Sequence, residues 1–203
     1  MKEIQRMPNE CEWLLSYKGR DVSGLRILIY IVTSVDNFIH DKTTDLFEIK
    51  YSRIRRNIPQ LKNKTCVFLH DCVKSALSYA DGYVDDIADV RIYENGLHIR
   101  YTDGFAELVS KRISGNYFMF MFDDILKLPT INSIKMYILY RKYYKIITYM
   151  KFRDSDIMEI FGINVNLRKN MYRAIRSAND HLNRIGIRSR LERFGNVWRF
   201  VSA

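Results

Sequence analysis

Apolar residues in the C-terminal third of the chain recur at helical spacing. Over 165–185, Leu167, Met171, Ala174, Ile175, Ala178, Leu182 and Ile185 fall in one stripe when residues are placed 100° apart. Arg168, Lys169, Tyr172, Arg173, Arg176, Asn179, Asn183 and Arg184 occupy the remaining faces. The pattern predicts a helix with one buried face and one cationic face. Upstream, Asn132 or Ser133 is placed to cap a helix reaching about residue 150, with Ile134, Ile138, Ile146 and Ile147 among its apolar positions. Asp154 or Ser155 opens a short helix that Gly162 stops. Segments 187–192 and 197–201, around Phe194-Gly195-Asn196, read as a closing hairpin. Three helices followed by a two-stranded hairpin is the winged-helix order.

The N-terminal pattern is similar but less regular. Segment 23–35 reads as a largely buried helix capped by Ser23, its β-branched run being compatible with a strand as well, and 46–51 reads as a short strand. Thr65 caps a helix over 66–79. Two alternating segments, 89–93 and 97–101, flank Glu94-Asn95-Gly96, where Asn-Gly would supply positive φ at both central turn positions. A helix over 103–113, an aromatic stretch over 117–122 and a short helix ending near Leu128-Pro129 follow. The fold class expected is α+β, with two tandem winged-helix domains: 1–128 and 129–203, divided at Pro129.

Charge changes this picture. The formal net charge is +10. Residues 1–128 hold 18 Lys+Arg and 18 Asp+Glu, whereas 129–203 hold 15 and 5. The whole excess therefore lies on the C-terminal module, as on a surface for a polyanion. Arginine pairs through its planar fork with guanine O6 and N7, and asparagine with adenine. Residues near the start of a recognition helix reach deepest into the major groove. The base-contact candidates are Asn166, Arg168, Lys169, Asn170 and Arg173, with Tyr172 beside them. Arg176 suits either base or phosphate. In the wing, Arg188 and Arg190 share one strand face, and Arg193 and Arg199 add to the charge, which suits phosphates or a minor groove. A weaker basic cluster, Arg53, Arg55, Arg56, Lys62 and Lys64, precedes the 66–79 helix. It reads equally as an accessory DNA contact or a solvated loop.

Candidate chemistry is sparse. His40, His70, His98 and His181 form no H-x-H or H-x-x-x-H pair, so the metal site of a rolling-circle nickase is not expected. Tyr143 and Tyr144 have no evident activating base, and packing explains them better than nucleophilic attack on DNA. Asp85-Asp86 diverge as adjacent residues do, and Asp123-Asp124 suit a helix start. No G-x-x-x-x-G-K-[ST] occurs. The expectation is a protein without catalytic residues, metal or cofactor. Cys11, Cys66 and Cys72 match no knuckle spacing and read as reduced packing residues. No apolar run is long enough to cross a bilayer, and no signal peptide is apparent. A cytoplasmic protein with no membrane partner is expected.

Over 117–142 and 155–201 the order of residues resembles that of iteron-binding plasmid replication initiators. Tyr117-Phe118, Leu126 and Ile134-Lys135-Met136-Tyr137-Ile138-Leu139-Tyr140 resemble the family's aromatic pair, helix and "S-x-x-x-x-L-Y" junction, with Leu139-Tyr140 in approximate register. Ile157-Met158-Glu159-Ile160-Phe161-Gly162-Ile163 resembles its "L-x-x-x-L-G-I" helix. Ala174, Ala178, Leu182-Asn183 and Trp198-Arg199-Phe200 resemble its recognition helix and last wing strand. A looser likeness extends over 13–128. The resemblance implies a non-catalytic initiator, of a plasmid, phage or virus, that binds double-stranded DNA at repeated origin sites. It also implies dimerisation through the N-terminal domain, repression of its own transcription and recruitment of host replication proteins. Two readings share the same residues: a winged-helix transcriptional regulator, and a basic scaffolding or RNA-binding protein.

Overall fold

A computed structural model describes residues 4–8, 14–15, 17–19, 21–34, 47–79, 88–103, 117–144, 146, 149–163 and 168–202. In chain order the elements are β1 (Ile4–Pro8), α1 (Val22–Thr33), β2 (Phe47–Lys50), α2 (Tyr51–Asn57) and α3 (Cys66–Ser78). Then come β3 (Ala88–Tyr93), β4 (Gly96–Tyr101), β5 (Tyr117–Met121), α4 (Phe122–Lys127) and α5 (Ile131–Lys142). The last are β6 (Phe152–Arg153), α6 (Asp154–Phe161), α7 (Arg168–Arg184), β7 (Ser189–Phe194) and β8 (Val197–Ser202). The fold is α+β. A two-stranded sheet pairs β1 with β5, and two three-stranded antiparallel sheets have the orders β2-β4-β3 and β6-β8-β7.

The chain forms two compact units. One comprises Met1–Gln5, Leu14–Lys18 and Phe118–Ala203; the other comprises Arg6–Trp13 and Gly19–Tyr117. We refer to them as the C-terminal and N-terminal units. The division after Tyr117 differs from the one expected at Pro129. The reason is a set of polar ties that bind 118–128 to α5. The Met121 N–H donates to Tyr137 Oη (2.9 Å), Tyr137 Oη donates to Asp124 (3.0 Å), and Arg141 Nε donates to the Met119 carbonyl (2.8 Å). Phe118 and Phe120 are buried, so β5 contributes apolar surface to the same unit.

Within the N-terminal unit the order is helix, strand, helix, helix and two strands. Its helix α1 is buried from Gly24 to Thr33, as its long apolar run requires, although its cap is Asp21, whose carboxylate accepts from the Ser23 N–H (2.9 Å). Thr65 caps α3 as expected, accepting from the Phe68 N–H (3.1 Å). The segment carrying Arg53, Arg55 and Arg56 is helix α2, not a loop; Ile54 and Tyr51 are its buried residues, and two apolar anchors were too few to show a period. The β3–β4 hairpin turns at Glu94-Asn95, one residue earlier than the Asn-Gly reading, and no non-glycine residue described has positive φ. Gly96 serves close approach instead. A Cβ there would lie 2.6 Å from the Ile49 carbonyl oxygen, where β2 pairs with β4. The helix expected over 103–113 falls, beyond Asp103, outside the described residues.

The C-terminal unit repeats the order with α5, β6, α6, α7, β7 and β8. Thr130, rather than Asn132 or Ser133, caps α5; Ser133 completes the box by accepting from the Thr130 N–H (3.1 Å). The helix ends at Lys142, well before 150, where the aromatic residues turn to pack: Tyr143 lies 6.1 Å from Phe152 and Tyr140 5.9 Å from Phe200. Asp156 closes the start of α6 by accepting from the Arg153 N–H (2.7 Å), and Gly162 ends it at φ 62°. Met171, Ile175, Ala178 and Leu182 of α7 are buried against the rest of this unit.

Candidate nucleic-acid interface

The candidate interface is built on α7 and the β7–β8 wing. Because the buried stripe of α7 points inward, Lys169, Asn170, Tyr172, Arg173 and Arg176 are exposed together. Arg168 is the first residue of α7, and Asn166 lies outside the described residues. Arg188 and Arg190 are exposed beside this face. A groove of about 620 Å³ runs between helix and wing, bordered by Lys169, Arg173 and Arg176 on one side and Arg190 on the other. Asp180 and Glu192 border it too.

Two sets of hydrogen bonds fix the wing relative to the helices. Asn179 Nδ2 donates to the Leu191 carbonyl (3.1 Å), and the Leu191 N–H donates to Asn179 Oδ1 (2.9 Å). Here a side-chain amide replaces a neighbouring strand along one residue of β7. At the start of α6, Asp154 accepts from Arg193 Nε (3.2 Å) and Nη2 (2.8 Å) and from Trp198 Nε1 (2.7 Å). The Asp154 hydrogen bonds hold the Arg193 guanidinium more firmly protonated than usual.

The wing cations thus divide. Arg190 is exposed, Arg193 is engaged in the bidentate pair with Asp154, and Arg199 is half-buried with its guanidinium 5.0 Å from the Phe194 ring centre. Tyr172 is 43% exposed, its ring 5.3 Å from that of Trp198, so it both packs and faces outward. Asn179, whose spacing placed it on the outward face, is a wing support. Sequence periodicity cannot show this, because its partner is a backbone twelve residues away.

Beneath the interface, Lys135 is almost fully buried in α5 and donates from Nζ to the Ile160 carbonyl (2.6 Å). That carbonyl belongs to the last turn of α6, where a cation is favoured. Burial, aided by the nearby charge of Lys18, lowers the Lys135 pKa to about 8.

In the N-terminal unit Arg53, Arg56, Lys62 and Lys64 are exposed. Arg55 turns inward, donating from Nε to the Lys64 carbonyl (2.9 Å) and from Nη2 to Cys66 Sγ (3.2 Å). It shapes the loop that presents its neighbours. The Lys64 ammonium lies 4.7 Å from the Phe68 ring centre. On α3 itself the exposed charges are Asp71 and Lys74, and Val67 is 71% exposed. Cys72 is buried and donates to Asp21 (3.0 Å); burial first, then this hydrogen bond, pushes its thiol up to about 12. Among the described residues no group of His, Cys, Asp and Glu is placed to hold a metal ion, and no helix is long and apolar enough to cross a membrane.

No family model and no curated protein sequence matches this chain. Among solved structures it is similar to the Pi initiator protein in complex with iteron DNA. The TM-score is 0.59 at 12% identity, covering 100% of this chain and 98% of that one. The likeness spans both units and is one of fold.

Proposed function

We propose that this protein binds double-stranded DNA sequence-specifically and initiates replication at repeated origin sites. The observation that carries the reading is the exposed cation set of α7 and the wing, on a chain whose fold is shared end to end with an initiator bound to iteron DNA. The exposed start of α7, with Lys169, Asn170 and Arg173, enters the major groove, where fork-shaped donors distinguish base pairs. Arg176, Arg188 and Arg190 hold phosphates and set register. The protein acts in the cytoplasm by binding and recruitment of host replication proteins, without catalysis of its own, and represses transcription across its own site.

The N-terminal unit dimerises and adds a less specific contact through Arg53, Arg56, Lys62 and Lys64. Its near-neutral α3 suits a protein partner better than base edges. The test is a titration, by fluorescence anisotropy at fixed salt, of duplexes covering the DNA that flanks its gene, any direct repeats in it included, against scrambled duplexes. Specific sites should bind at least about 10³-fold more tightly. Equal affinities would overturn the initiator reading.

A further inference from the structure

The grooves of a DNA duplex are separated by a sugar–phosphate strand. A helix in the major groove, about 12 Å wide, and a wing at the adjoining minor groove, about 6 Å wide, must therefore straddle that strand. In the C-terminal unit the space between them is the groove of about 620 Å³. Its two walls carry cations, Arg176 on α7 and Arg190 on β7, so a phosphate entering it faces a positive charge on each side. Asn179 ties the two walls, spending both ends of its amide on the Leu191 backbone, while Tyr172 of α7 packs on Trp198 of β8. The same groove is also bordered by Asp180 and Glu192, both exposed and one on each wall. Carboxylates there oppose any phosphate, whatever the base sequence.

We propose that this groove is the channel for one DNA strand, that Asn179 is the positioning residue fixing its width, and that Asp180 and Glu192 suppress sequence-independent binding. The proposal rests on the DNA-binding reading above and deepens it. A repulsion felt on every duplex lowers all affinities alike, so it leaves the ratio between sites unchanged and acts by weakening random DNA below occupancy. Bound at its specific site, the protein offsets this repulsion with base contacts that random DNA does not offer. With Asn179 replaced, Arg190 no longer meets the strand held by Arg176.

The experiment measures affinity for a random-sequence duplex and a repeat-containing duplex across a salt series, with the full chain. Asp180→Asn and Glu192→Gln should each tighten the random duplex about twofold to fivefold, the scale of one exposed charge interaction. Such a gain cannot come from misfolding. Asn179→Ala and Arg190→Ala should each lower the salt slope by roughly 0.9, the loss of one phosphate contact. Combined, they should lose little more than either alone, because both remove the same contact. Amide exchange at Leu191 should rise in Asn179→Ala without DNA. Unchanged random-duplex affinity in both acid variants, or losses from Asn179→Ala and Arg190→Ala that multiply, would overturn the groove assignment while leaving the DNA reading in place. A wild-type protein that binds no duplex would overturn both.

Discussion

The N-terminal and C-terminal units are built to one plan and finished differently. Each runs helix, strand, helix, helix, strand, strand, and each sheet places its last strand in the middle, β2-β4-β3 in one and β6-β8-β7 in the other. Their third helices are both amphipathic, α3 burying Leu69, Cys72, Val73 and Ala76, and α7 burying Met171, Ile175, Ala178 and Leu182. The outward faces differ in charge. From Lys169 onward α7 carries Lys169, Arg173, Arg176 and Arg184 against Asp180, whereas α3 carries Lys74 against Asp71. In the hairpins, Arg190, Arg193 and Arg199 face one acid, Glu192, while Arg91 is paired with Asp89 (3.1 Å). Buried positions set the plan, and exposed positions are free to set the task.

The largest expected contrast lies on the two third helices. Arg173→Ala should weaken specific DNA binding by about 1–3 kcal/mol and relax base preference, whereas Lys74→Ala on α3 should change it by no more than about 0.5 kcal/mol. Anisotropy titrations of both variants decide this, and equal losses would mean that the N-terminal unit reads bases too. A second contrast compares the hairpins. Gly96→Ala drives a Cβ against the Ile49 backbone and should destabilise the N-terminal unit by about 1–3 kcal/mol. Gly195→Ala meets no atom within 4 Å, but its φ of 59° should cost about 1 kcal/mol. Urea titrations followed by amide exchange assign each loss to its unit.

A third effect concerns pH. Lys135 has its folded-state pKa lowered from 10.5 to about 8, so between these values the unfolded chain binds more protons. Its contribution therefore destabilises fully below about pH 8 and is relieved as pH rises towards 10.5, with a slope of at most about 1.4 kcal/mol per pH unit. Lys135→Met should flatten that rise in urea midpoints measured from pH 8 to 10. An unchanged slope would mean that the lysine keeps its proton in the folded protein across this range and that burial does not lower its pKa.

Where a residue's partners are near in sequence, the structure was legible in advance. The Thr65 cap, the Gly162 stop and the inward stripe of α7 all follow from short spacings. The hairpin of β3 and β4 was also visible, but its turn lies at Glu94-Asn95, because Gly96 is needed where β2 approaches. Helix α2 has no period to show in the sequence, and the apolar pattern overstates α5 because its Ile-rich extension continues the apolar run beyond the turn at Tyr143. The candidate interface was partly legible. The exposure of Lys169, Arg173, Arg176 and Arg190 followed from periodicity, but the engagement of Arg55 and Arg193 did not.

The sequence by itself determined the asymmetry of charge, the cationic face of α7 and the hairpin beside it, since each is local in composition or spacing. Only the tertiary structure decided which cations remain exposed, where the units divide and what holds the wing. Those outcomes depend on pairs far apart in the chain, such as Asp154 with Arg193 and Trp198, Asn179 with Leu191, and Lys135 with Ile160. A polar side chain at a surface position has the same spacing whether it meets solvent, DNA or a distant backbone. Packing chooses among them, because a partly buried donor or acceptor must find a partner.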